Sequence, residues 1–213
     1  MASRPIRKTI APTALDRNGI AAAQSVTGAF TLDGVLVSGG VVTFTTPQHV
    51  TVYAPGDEAT DTITITGTDL NGNAMTEDIT GVNAGTVAGT KNFSTVTAVS
   101  SDGAVVDMEI GVDGTAEGPW WPLGYTYPGD FNVGVGMVIS TGATLTYSLQ
   151  HTYDDVYAKG FDPSTAAAFT HATIAAKSAN FEGTITSPVS AVRVAITAHT
   201  SGSVTANIIQ SGQ

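Results

Sequence analysis

Thr62-Ile63-Thr64-Ile65-Thr66-Gly67-Thr68-Asp69-Leu70-Asn71-Gly72-Asn73-Ala74-Met75-Thr76-Glu77-Asp78-Ile79-Thr80 is the stretch that decides the fold class. Its first five residues alternate threonine and isoleucine, the pattern of a strand with one buried and one wet face. Asn71-Gly72 is the strongest short hairpin signal, because both residues accept positive φ. A return strand is predicted over Ala74–Thr80. Outward from this hairpin the rhythm repeats. Residues 41–45, 49–53, 95–99 and 105–112 are β-branched or aromatic-rich runs, with Asp102-Gly103 predicted to turn between the last two. Residues 135–139, 144–151, 189–197 and 203–210 resume the pattern. Turn signals every ~8–12 residues are those of sandwiches and barrels. The expected class is all-β, an antiparallel β-sandwich of jelly-roll-like type.

Glu117-Gly118-Pro119-Trp120-Trp121-Pro122-Leu123-Gly124 interrupts that rhythm. Prolines on both sides of the tryptophans keep the segment out of a central strand. It reads as the junction of two small sandwich domains, residues 19–116 and 131–213, joined through a Pro/Trp segment at 117–130. The tryptophans either staple this junction onto a neighbouring core or form an exposed partner anchor or sugar-stacking platform. Asp162-Pro163-Ser164 suits a helix start, and residues 162–169 read as a short helix or a surface loop. Residues 35–50 set over 137–152 match Ser38, Gly40, Gln48 and His49 with Ser140, Gly142, Gln150 and His151, which suggests a repeat. A second pairing sets residues 96–105 against 189–204.

The charge is unevenly placed. The chain has 8 basic against 18 acidic residues, and Arg4, Arg7, Lys8 and Arg17 all fall in its first 17 positions. Residues 1–18 read as a basic arm on an acidic body, able to dock on an acidic neighbour or a second copy of the chain. Arg4, Arg7, Lys8, Arg17, Trp120 and Trp121 are therefore the candidate partner-contact residues. Too few basic residues are present for a nucleic-acid patch, so no nucleic-acid partner is expected. No apolar run approaches the ~20 residues that span a bilayer, and Met1–Lys8 lacks the apolar core of a secretory signal. With hydrophobics at 42%, the chain is no disordered acidic tail.

Little in the sequence marks chemistry. No cysteine is present, which excludes disulfides, thiolate metal sites and a cysteine nucleophile. His49, His151, His171 and His199 form no local zinc pattern. His151 lies near Asp154 and Asp155 and reads either as part of a metal site or as a polar strand end. Asp69–Asn73 has the look of a calcium loop, but Thr80 stands where the bidentate glutamate belongs. Neither a nucleophile elbow nor a phosphate loop occurs, and Gly134-Val135-Gly136 lacks a third glycine. No enzyme activity, catalytic residue, cofactor or metal is expected.

The order of several stretches is similar to a family of small structural proteins of tailed bacteriophages. They are Gly19-Ile20-Ala21-Ala22-Ala23-Gln24-Ser25-Val26, the hairpin through Asn73, Ile79-Thr80-Gly81-Val82-Asn83-Ala84-Gly85-Thr86, and Phe93-Ser94-Thr95-Val96-Thr97-Ala98-Val99. Leu149-Gln150-His151-Thr152-Tyr153-Asp154-Asp155 and Ser187-Pro188-Val189-Ser190-Ala191-Val192-Arg193-Val194 complete the set. The resemblance spans residues 19 to 210 and carries no catalytic signature. It implies a virion component, made in the host cytoplasm, whose partners are the major capsid protein or neck and tail proteins of the same particle. A capsid decoration or cement protein, forming a homo-oligomer with a trimer favoured, is the first expectation. A neck or short-tail component is the second. A receptor- or carbohydrate-binding module, stacking sugars on Trp120, Trp121, Tyr125 and Tyr127 near Asp130, is the third.

Overall fold

A computed structural model describes residues 5–124 and 131–210. It is all-β, with no helix among these residues and hence none long and apolar enough to cross a membrane. The strands among the described residues are β1 (Ile6–Ile10), β2 (Asp16–Ala29), β3 (Val37–Ser38), β4 (Val41–Asp57), β5 (Thr62–Thr68), β6 (Ala74–Thr80), β7 (Asn83–Ala88) and β8 (Phe93–Glu117). They continue with β9 (Trp121–Pro122), β10 (Val133–Ile139), β11 (Thr144–Thr152), β12 (Phe169–Thr170), β13 (Phe181–Ile185), β14 (Ala191–Ser201) and β15 (Val204–Gln210). The chain separates into two compact units, Pro12–Ala116 and a second made of Met1–Ala11 with Glu117–Gln213. The first is thus an insertion within the second, whose two chain ends meet where β1 pairs with β15, Ile6 opposite Ile208 and Ile10 opposite Val204.

The unit holding the termini is a two-layer sandwich. One layer is an antiparallel sheet in the order β1-β15-β10-β13. In the other, β11 lies between β12 and β14, and β9 runs along β14. Val133, Val135 and Met137 of β10 and Val204, Ala206 and Ile208 of β15 pack against Leu145, Tyr147 and Leu149 of β11 and Val192, Val194 and Ile196 of β14. Every second residue faces inward, as face-to-face sheet packing requires.

The inserted unit is built around β8, which pairs with β5 through its first part and with β2 through its second. It also meets β4 twice, at Val42–Thr43 opposite Val96–Thr95 and at Val50–Tyr53 opposite Val112–Glu109. The deciding hairpin forms in register, Ile63 opposite Ile79 and Ile65 opposite Glu77. Ile63, Ile65 and Ile79 enter a core with Phe93, Val96, Met108 and Ile110. Its loop is longer than the two-residue turn that Asn71-Gly72 suggests. Thr68 pairs with Ala74, and only Gly72 takes positive φ, at 81°. Asp69 closes the loop by accepting the Asn71 and Asn73 amides at 2.8 Å. That capping explains the cluster that looked like a calcium loop.

Four sequence expectations need correction. The basic arm is no free extension, since Ile6–Ile10 is a strand with Ile10 buried in a core, and Asp16 already begins β2. Residues 41–45 and 49–53 belong to one strand that passes through Pro47, tolerated because pairing with β8 lapses between Thr43 and Gln48. Asp102-Gly103 does not separate strands. Asp102 accepts the Thr62 amide at 2.7 Å, which holds its carboxyl below the usual range, and β8 continues through. The segment read as a separate junction at 117–130 is, over its described residues, part of one unit. Gly118 donates to Val194 O and Leu123 to Ser190 O, so Gly118–Leu123 lies along β14, within the unit that holds the termini. Residues 162–168 are a loop, where the Asp162 carboxylate caps a turn at Ser164, and Phe169 begins β12.

The repeat holds at one turn only. Gly40 and Gly142 both turn with positive φ, 81° and 74°, before β4 and β11. In the second pairing, Ser201-Gly202 is a true turn between β14 and β15, whereas Asp102-Gly103 is strand interior. Gln48 and Gln150 also differ, the first bonded to the Thr13 backbone and the second to Arg193.

Candidate functional site

Of the six partner-contact candidates, Arg4 lies outside the described residues. Arg7 and Lys8 sit side by side on β1, which pairs with β15 on one side and, among the described residues, forms an edge of its sheet. Both side chains are exposed. Arg7 lies opposite Asn207 and Lys8 opposite Ala206, so they leave the sheet from opposite faces. An edge strand presents unpaired amides and carbonyls, and these two cations flank them on an acidic chain.

Arg17 has a local task instead. It forms an ion pair with Glu109, reinforced by an Nη2–Oε1 contact of 3.2 Å, and its guanidinium lies 3.9 Å from the centre of the Tyr53 ring. Glu109 is buried, so Arg17 supplies the charge that keeps a carboxylate tolerable beneath β2.

Trp120 and Trp121 are both buried, at 8% and 4% exposure. Trp121 belongs to the core cluster and faces Val192 across β9 and β14. Trp120 lies under Arg193, whose guanidinium is 4.4 Å from its ring and makes a two-pronged pair with Glu117 at 2.6 and 2.7 Å. Arg193 Nε also donates to Gln150. Burial lowers the Arg193 pKa and Glu117 opposes that shift. The tryptophans therefore act as a staple and give no exposed stacking platform. Tyr125, Tyr127 and Asp130, the other members of the expected sugar site, lie outside the described residues.

Sequence reasoning missed an exposed ring cluster. His151, Tyr153 and Phe169 meet with centroids 5.6 to 5.7 Å apart, His151 stacked on Phe169 and edge-on to Tyr153. Tyr153 and Phe169 are about half exposed. Burial pulls the His151 pKa below its ordinary value, and the nearby His171 adds to the shift. No signal could have paired His151 with Phe169 in advance, because β12 is only two residues long. Among the described residues no group of three or more histidine, aspartate or glutamate side chains could hold a metal.

The remaining buried carboxylates serve the backbone. Glu77, opposite Ile65 on the core side of β6, accepts the Thr90 amide at 2.6 Å and the Lys91 amide at 3.1 Å. Glu58 accepts the Val106 amide at 3.0 Å, beside Asp107 with its φ of 48°. Such groups satisfy amides that no ladder bond reaches, in the loop between β7 and β8 and at an irregular place within β8. No family model, curated protein or solved structure matches the chain.

Proposed function

We propose that the chain is a non-enzymatic structural component of a tailed-bacteriophage particle, and specifically a capsid decoration protein that clamps the lattice formed by the major capsid protein. The observation that carries this reading is β1, an edge strand whose exposed Arg7 and Lys8 stand on an otherwise acidic chain. An edge of this kind adds to a neighbouring sheet by backbone hydrogen bonds while its cations select an acidic partner. The disposition of Glu58, Glu77, Glu109, Arg17 and Arg193 agrees with a structural role, since each is engaged in holding strands together. Once seated on the lattice, and not free in solution, a closed homo-oligomer, a trimer first, matches a site of the same symmetry. A neck or short-tail position uses the same edge and differs in stoichiometry.

A second reading, a receptor- or carbohydrate-binding module, draws its support from the exposed rings of Tyr153 and Phe169 rather than from the tryptophans. Sedimentation of the purified protein with emptied capsids separates the two. Decoration expects saturable pelleting, weakened at least tenfold by Lys8→Glu and unchanged by Tyr153→Ala. Failure to pellet, or loss only in the Tyr153 variant, would contradict it.

A further inference from the structure

The outer face of the β1-β15-β10-β13 sheet has a pattern that its register makes explicit. Arg7, Asn207, Gly136 and Glu182 are consecutive partners across all four strands and form one row. They lie on the face opposite the core, because their neighbours Ala206, Ile208, Val135 and Met137 are the buried ones. The row therefore runs from an exposed cation at one edge, past an amide and a glycine, to an exposed carboxylate at the other. Neither Arg7 nor Glu182 has an ion-pair partner among the described residues. On the same face Ile209, 58% exposed, pairs with Gly134. The two glycines leave open space, since a Cβ on Gly134 or Gly136 would meet nothing nearer than a carbonyl oxygen at 3.7 or 4.0 Å.

We propose that this face binds a second copy of the chain about a two-fold axis lying along the strands, between β15 and β10. Such an axis keeps each residue's position along the strands and exchanges the strand order, placing β1 over the partner's β13 and β15 over its β10. Arg7 then stands over the partner's Glu182, Asn207 over its Gly136, and Ile209 over its Gly134, each contact made twice. Charges pair, Asn207 and Ile209 meet glycines, and the 47% exposed Val138 meets Thr205, so the face is complementary to itself, as a two-fold interface must be. Sheets pack face to face about 10 Å apart, within reach of an arginine and a glutamate extended toward each other. Four strands about 4.8 Å apart give roughly 400 Å² of face per copy, below the ~800 Å² of a standard stable complex. The pairing is thus weak and reversible in solution and becomes effective where copies are arrayed. It does not rest on the particle assignment, although Arg7 enters both, and it leaves the Lys8 side of β1 unused.

Sedimentation velocity from about 10 µM to 1 mM protein, a range that brackets weak association, is the test. The wild type is expected to move from monomer toward dimer as concentration rises. Arg7→Glu weakens dimerisation at least tenfold, and adding Glu182→Arg to it restores the wild-type constant. Gly136→Arg abolishes the dimer while leaving the melting temperature unchanged, because a side chain there points into open space. The chain has no cysteine, so Asn207→Cys can be linked by a bismaleimide of about 8 Å across a Cα separation of about 11 Å. Val35→Cys, on a residue 81% exposed in the other unit, gives the background level. A monomer at every concentration with no cross-link above that background overturns the proposal. So does a dimer that survives both Arg7→Glu and Gly136→Arg.

Discussion

At the scale of single residues, glutamine side chains hold irregular places together. Gln24, Gln48 and Gln210 each present their amide to a backbone as another strand would, donating to one carbonyl and accepting one amide. Their partners are Thr31, Thr13 and Gly124. Such pairs close a ladder where no strand is available, and Gln48 does so while fully buried. None was legible in the sequence, because a glutamine gives no hint of a backbone partner 35 residues away. The burial of Trp120 was one of two open readings. It is decided by Arg193, distant in sequence, which covers one side of the ring and is held there by Glu117. Trp120→Ala is expected to lower stability by roughly 3–5 kcal/mol, the cost of emptying a large buried site. Chemical denaturation of the variant checks this, and an unchanged midpoint would place the ring outside the core. Tyr147 shows the same enclosure. Burial raises its pKa to about 12, and its hydroxyl donates to Ala179 O.

At the scale of elements, period-2 alternation was a sound guide where one face is buried and the other wet, as in β5. It failed where strands depart from that pattern. β4 buries three consecutive residues around Pro47, and β8 runs for 25 residues through positions that read as turns. Side chains from other strands absorb those irregularities, and no local window contains them. β1 failed for a different reason. Ile6-Arg7-Lys8-Thr9-Ile10 turns only Ile6 and Ile10 firmly toward apolar neighbours, because Lys8 can leave the sheet at its edge. A deletion of residues 1–17 consequently cannot serve as the removal of a passive arm. Deleting residues 1–10 is expected to strip an edge strand and the buried Ile10 from the unit holding the termini, lowering its melting temperature by several degrees. The inserted unit Pro12–Ala116 keeps its core intact. Hydrogen exchange resolved by unit checks this, and equal protection throughout would contradict it.

At the scale of the whole molecule, the all-β class followed from turn spacing, and a change of unit near residue 117 followed from the Pro/Trp segment. The return of the first strand to the unit of the last did not, since pairing between residues 200 apart leaves no local trace. Function was less legible than fold. A surface built to pack against protein has no fixed spacing of reactive groups, and its complementarity exists only once the register of several strands is known. The row from Arg7 to Glu182 is such a case, four residues scattered through the sequence that become neighbours only in the sheet. The central claim, a particle component whose work is attachment, is tested most directly by quantitative mass spectrometry of gradient-purified virions from cells producing the chain. The chain is expected to co-purify with the major capsid protein at a fixed copy ratio set by the lattice. Its absence from the particles, with full recovery in the soluble fraction of the lysate, would contradict that claim.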